Sequence, residues 1–168
     1  MRKIFLLLIL LLLISFGCKK PAQKYIGQAI EKYHNQDYKG AIASYTRALE
    51  VDPKLPEAYY SRGLVKKAFR QNCIGIFIKP GKLNVIEPGS TAPFSYLEEL
   101  FPFAAGEIDD YTMALTLNPG FADAYYHRAM AKFDIGQADS ACIDLRKAQT
   151  LGNPDAEEQI QVRCSKVQ

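Results

Sequence analysis

Apolar positions along residues 38–49 fall at Tyr38, Ala41, Ile42, Tyr45, Ala48 and Leu49. That spacing of three and four predicts one stripe of an amphipathic helix. Ala138, Ala141, Cys142, Leu145 and Ala148 draw the same stripe again, and Tyr25, Ala29, Ile30 and Tyr33 mark an earlier helix. Asp52-Pro53 and Asn118-Pro119 predict helix ends, because the residue before a proline is pushed out of the helical region. One stretch breaks this rhythm. Ile4 to Ile14 is an unbroken apolar run behind Arg2 and Lys3. It is shorter than the roughly 20 residues a bilayer span needs and has the flanks of a secretory signal.

The stripes repeat at a fixed distance. Tyr25 and Tyr59 lie 34 residues apart, as do Ala114 and Ala148. Tyr59 and Tyr125 lie 66 apart, and so do Ala48 and Ala114, and Pro53 and Pro119. A 34-residue unit of two helices and a turn therefore occurs three times, with about 32 extra residues in the middle copy. At these residues the chain resembles the tetratricopeptide (TPR) family. The aromatic early in the first helix is Tyr25, Tyr59 or Tyr125, and the small residue four places on is Ala29, Gly63 or Ala129. In the second helix unit one has Ala41, Tyr45 and Ala48, and unit three has Ala141, Leu145 and Ala148. Unit two has Tyr111 and Ala114 but Glu107 where a small residue belongs.

The resemblance implies an all-α helical solenoid of three repeats, at 22–55, 56–121 and 122–152, the second interrupted at about 71–102. A capping helix is expected at 153–168, with Asn153 as cap, Pro154 at its first position and Asp155 nearby. The resemblance also implies a concave groove lined by the first helices. Carried over place by place, the lining is Ile26, Ile30 and Tyr33, then Tyr60, Leu64 and Lys67, then Tyr126, Met130 and Phe133. One branch of the family grips a carboxylate with lysines and asparagines. The apolar residues here disfavour that chemistry and suit a partner with apolar side chains in a helix or extended segment. The alternative, that neighbouring helices fill in several of these positions, stays open for Ile26 and Ile30 above all.

Cys142 and Cys164 are equidistant from Asn153. Two antiparallel helices turning at 151–154 would put them at one height, either as a disulfide or as two small core residues. Cys18 follows the apolar run, and "ISFGC" resembles the lipobox of bacterial lipoproteins, with Ser15 where leucine is usual. That resemblance implies a signal peptide at 1–17, a tether at 18–21 and acylation of Cys18, palmitate included. The place is then the bacterial envelope, the outer membrane favoured by the absence of Asp at position 19, facing periplasm or exterior. An exported protein meets an oxidising compartment, where a disulfide persists. Cys73 is left over as a buried or insert residue.

The insert holds "CIGIFI" and "LNVIE" around Lys79-Pro80-Gly81-Lys82, a candidate hairpin, then "PGSTAP" as loop. Ser95 with Glu98 forms a candidate capping box for a turn or two through Phe101. Ile76, Phe77, Ile78, Phe94, Tyr96, Phe101 and Phe103 leave two readings, a recognition arm or an accidental in-frame insertion.

Composition adds little. Apolar residues are 48% and charged residues 23% of the 168, and the formal charge of +3 carries no basic cluster, so no nucleic-acid surface is expected. Enzyme chemistry is not expected. His34 and His127 each lack a second ligand four places on, no glycine-rich phosphate loop appears, and Asp109 with Asp110 reads as a solvated helix face. No cofactor and no metal is expected. The function expected is non-catalytic binding of an unidentified protein or peptide, the membrane being touched only through the lipid. A purely structural envelope protein or an accessory subunit of an enzyme complex are the alternatives.

Overall fold

The computed structural model describes residues 21–77 and 92–165. Seven α-helices and no strand occur among the described residues. They are α1 (Pro21–His34), α2 (Tyr38–Val51), α3 (Pro56–Phe77), α4 (Ala92–Leu117), α5 (Ala122–Asp134), α6 (Ala138–Thr150) and α7 (Ala156–Arg163). Each helix packs on the next, as α1 on α2, α3 on α4 and α5 on α6, with α2 against α3 and α4 against α5 carrying the stack from pair to pair. The Cys18 lipidation site and the signal peptide lie outside the described residues.

Proline opens α1 and α3, where its missing N–H costs nothing. Asp37 caps α2 by accepting from the Gly40 N–H at 2.9 Å. The turns inside units one and three are built alike. Gln36 (φ 60°) and Gly136 (φ 78°) hold the same repeat position, both in the left-handed region. The next residue then donates back to the helix end, from Asp37 N to Lys32 O and from Gln137 N to Lys132 O, each at 2.9 Å.

Unit two has no such turn. Its equivalent position is Arg70, which stays helical as α3 runs on to Phe77, and α4 already begins at Ala92. The insertion is therefore entered and left as helix. This overturns the hairpin, since residues 73–77 are helical, and "LNVIE" lies outside the described residues. It also overturns the capping box, since Ser95 sits inside α4 rather than before it. A strand reading rested on a short apolar run, which periodicity alone does not separate from buried helix.

Small residues set the spacing. Ala29, Ala41, Ala48, Ala114, Ala129, Ala141 and Ala148 are fully buried, so the helices of a pair approach closely. Tyr45, Leu49 and Val65 fill the first cluster; Leu115 with Phe121 and Tyr125 the middle; Leu145 and Cys142 the last. Gly63 is smallest of all because Tyr111 lies against it, and a Cβ there would meet the ring at 2.7 Å. The α6–α7 turn is Gly152 (φ 87°) followed by Asn153, whose side chain accepts from Asp155 N at 3.1 Å and donates to Asp123 Oδ1 at 2.8 Å. The helix itself starts at Ala156, two residues later than a first-position Pro154 implies.

Candidate functional site

The first helix of each pair presents three repeat positions on one face. The leading position holds Ile26, Tyr60 and Tyr126. Ile26 packs onto the first core cluster. Tyr60 sits among rings, with centroids 4.6 Å from Phe121, 5.8 Å from His127 and 6.0 Å from Tyr111. Burial, helped by the Asp123 carboxylate, pushes its hydroxyl up to about 12, so it remains protonated at any physiological pH. Tyr60 thus fills space between units two and three more than it walls an open groove.

The second and third positions are more open on the first pair. Ile30 is 45% and Tyr33 42% exposed, large values for such side chains. Leu64, Lys67 and Met130 are half-buried. Tyr126 and Phe133 are brought together under a different roof. Both pack on the cluster that contains Cys142 and Cys164, with Ile160 of α7, and the Arg163 guanidinium lies 5.2 Å from the Phe133 ring centre. Cys142 and Cys164 are joined by a disulfide, with Cα atoms 5.8 Å apart. At the last pair α7 therefore packs beside Tyr126 and Phe133, while Met130 between them is half-buried outside that cluster.

Charged groups form a second pattern that the apolar reading passed over. Arg62 donates to Asp110 (Nη2–Oδ1 2.5 Å) and to Thr46 (3.0 Å). One repeat later Arg128 donates to Asp144 (Nη2–Oδ1 2.7 Å) and to Thr112 (3.2 Å). Lys66 and Lys132 add 2.7 Å contacts to the same carboxylates, and Lys32 reaches Ser44 at the matching place in unit one. Asp110 is 2% exposed, so the reading of Asp109 and Asp110 as a solvated face holds for Asp109 alone. The signal was present: the 34- and 66-residue spacings that link the alanines also link Arg62 with Arg128 and Asp110 with Asp144.

Glu107 answers the missing small residue. It is fully buried at the place of Ala41 and Ala141 and accepts from Arg70 (Nε–Oε1 2.8 Å), which also donates to Asp134 at 2.7 Å. Burial lifts the Glu107 carboxyl above its usual range, against the lowering pull of Arg70. Because α3 does not turn at residue 70, its guanidinium is held where Glu107 needs it. The charged pair thus stands where units one and three have a left-handed turn position and an alanine.

His127 is half-buried, whereas His34 is exposed. Its Nδ1 lies 3.5 Å from Lys67 Nζ, the ammonium facing a neutral ring. Burial first, and Lys67 second, lower its pKa from 6.5 to about 4. A depressed folded-state value means stability that is present above pH 6.5 and lost as pH falls toward 4. Glu107 works in the opposite sense, so a difference curve isolates the histidine. Urea unfolding of wild type and His127→Gln from pH 7 to 4 is expected to show wild type losing about 2 kcal/mol more.

Family models match on both sides of the insertion, "TPR repeat" over residues 31–68 and "Tetratricopeptide repeat" over 122–160. The chain carries TPR repeats. Solved TPR structures share its shape. The first TPR of Spaghetti (RPAP3), bound to HSP90 peptide SRMEEVD, superposes with TM-score 0.61 at 17% identity, over 88% of this chain and 93% of that one. The Yersinia enterocolitica type III secretion chaperone SycD, in complex with a peptide of the translocator YopD, gives 0.58 at 13%, over 88% and 90%. In sequence the chain is 26% identical over 137 residues to a DnaJ homolog subfamily C member 7 homolog of Dictyostelium discoideum, covering 82% of this chain and 20% of that protein's length. The fold is therefore an all-α TPR solenoid of stacked helix pairs. Among the described residues no helix is long and apolar enough to cross a membrane.

Proposed function

We propose that this TPR chain is a non-catalytic scaffold that takes an apolar segment of a partner protein onto the face made by α1, α3 and α5. The observation that carries the reading is the pair Ile30 and Tyr33, left about half exposed at the same repeat positions as half-buried Leu64, Lys67 and Met130. Water-facing apolar groups aligned along successive units form a strip suited to a helix or extended segment. The two TPR structures above, each with a peptide of a different partner, support the strip as a peptide seat. Lipid attachment at Cys18 is part of the same proposal. Only Lys19 and Lys20 separate that cysteine from α1, so an acyl anchor would hold the first unit close to a membrane surface.

The test is an immobilised array of twelve-residue peptides graded from apolar to acidic and basic, probed with the protein lacking residues 1–17. Peptides with two or three large apolar side chains are expected to be retained. Ile30→Glu and Leu64→Glu should each weaken the best of them at least tenfold, about 1.4 kcal/mol or more. Retention of nothing, or binding indifferent to both substitutions, contradicts the reading. Incorporation of labelled palmitate in bacterial cells, lost in Cys18→Ala, checks the anchor.

A further inference from the structure

We infer that the Cys142–Cys164 disulfide is a redox-sensitive latch: it keeps α7 folded over Tyr126 and Phe133, and its reduction uncovers that end of the binding face. The latch stands on the packing of α7 alone; the uncovering of a binding face rests on the function proposed above.

The packing of α7 is sparse. Of its eight residues Ala156 is buried and Gln159 and Ile160 are half-buried, while Glu157, Glu158, Gln161, Val162 and Arg163 are exposed. A helix of that length is unstable in water without tertiary support. Its two ends are held differently. The leading end is pinned by the polar turn, where Asn153 is 8% exposed and donates to Asp123. The trailing end is held by Cys164, 4% exposed in the cluster with Cys142, Leu145 and Ala129. Between the two ends only Ile160 packs on that cluster, half-buried, and Arg163 over the Phe133 ring and the Gln149–Glu157 hydrogen bond are surface contacts of small energy. Cutting the disulfide therefore frees the trailing end and leaves the turn in place.

The chemistry needs a thiol or dithiol reductant. A reductant thiolate attacks one protein sulfur; the Cys–Cys bond breaks, a mixed disulfide forms, and the other cysteine leaves as a thiolate. A second reductant thiol displaces the remaining cysteine. Two electrons and two protons end on Cys142 and Cys164, and the reductant leaves as its disulfide. Both sulfurs are covered in the closed form, so attack follows fraying of the end of α7.

Hydrogen exchange on the chain lacking residues 1–17, with and without dithiothreitol, reads the latch. The bond closes a sequence separation of 22 residues. Losing such a constraint is expected to speed exchange of the α7 amides on the order of 100-fold, with α5 and α6 little changed. Cys164→Ser should reproduce this without reductant, and hydroxyl-radical labelling of Tyr126 and Phe133 should rise several-fold. Exchange in α7 that changes less than about threefold overturns the latch. So does equal acceleration of all helices, which would make the bond a staple of the whole fold. If α7 opens but peptides retained by the oxidised protein bind the reduced form unchanged, the uncovering is overturned. Oxidised protein that retains no peptide contradicts the groove instead.

Discussion

Asp144→Ala is expected to lower the unfolding free energy by about 3 kcal/mol, the lower part of the range for breaking a buried ion pair. Asp144 is 4% exposed and is the single carboxylate shared by Arg128 and Lys132. Removing it leaves two largely covered cations facing an alanine methyl. Their remaining exposure, 17% and 15% of the side chain, keeps the loss from the top of the range. Arg128 keeps its 3.2 Å bond to Thr112 and its place over the Tyr125 ring, neither of which neutralises it. Asp144→Asn retains the shape and one acceptor and should cost less. Because Asp110 plays the same part for Arg62 and Lys66, Asp110→Ala should cost a similar amount. Urea unfolding of the three variants checks this, and a loss below about 1 kcal/mol for Asp144→Ala would show the pairs to be surface decoration.

Tyr111→Ala is expected to be as damaging or more, about 3–5 kcal/mol, the range for emptying a large buried aromatic site. Tyr111 is the largest fully buried side chain of the described residues. Tyr111→Phe should behave differently. The hydroxyl is buried without a hydrogen-bond partner among the described residues, and burial and the neighbouring Glu107 push its pKa far up. Deleting an unpaired buried polar group is neutral or stabilising by up to about 1 kcal/mol. Gly63→Ala attacks the same contact from the other side and should cost about 1–3 kcal/mol through the clash with the ring. Joining Gly63→Ala to Tyr111→Leu restores the Ala129–Leu145 pairing of unit three. The double variant is expected to recover part of the loss, a non-additivity of at least 0.5 kcal/mol.

The repeat was legible because close packing constrains residue type at fixed positions. An alanine between two helix axes has almost no substitutes, so Ala41 and Ala141, or Ala48, Ala114 and Ala148, stay in phase through a long insertion. Other positions have surroundings that no such constraint writes into the sequence. Residues 73–77 are a short apolar stretch that suits either helix or strand until its neighbour is known. Asp110 and Asp109 are identical in type and adjacent, and only the helix phase separates the buried one from the exposed one. Tyr126 and Phe133 occupy the same repeat positions as Tyr60 and Lys67, but their surroundings are set by α7, which follows the last repeat and has no counterpart within the period. Arg70 and Glu107 show a coupled departure. The chain loses the left-handed turn position and the small residue in the same unit, and the two departures compensate each other through one ion pair.

Hydroxyl-radical footprinting of the protein with its best-retained array peptide tests the seat most directly. Exposed or half-buried apolar probes stand on both sides of the stack: Ile30, Tyr33, Leu64 and Met130 on the first helices, Met113 on α4 and Ile143 on α6. A peptide lying along α1, α3 and α5 protects the first four and leaves Met113 and Ile143 labelled as before. Protection of Met113 and Ile143, with Ile30, Tyr33 and Met130 unchanged, would place the partner on the opposite face and contradict the groove.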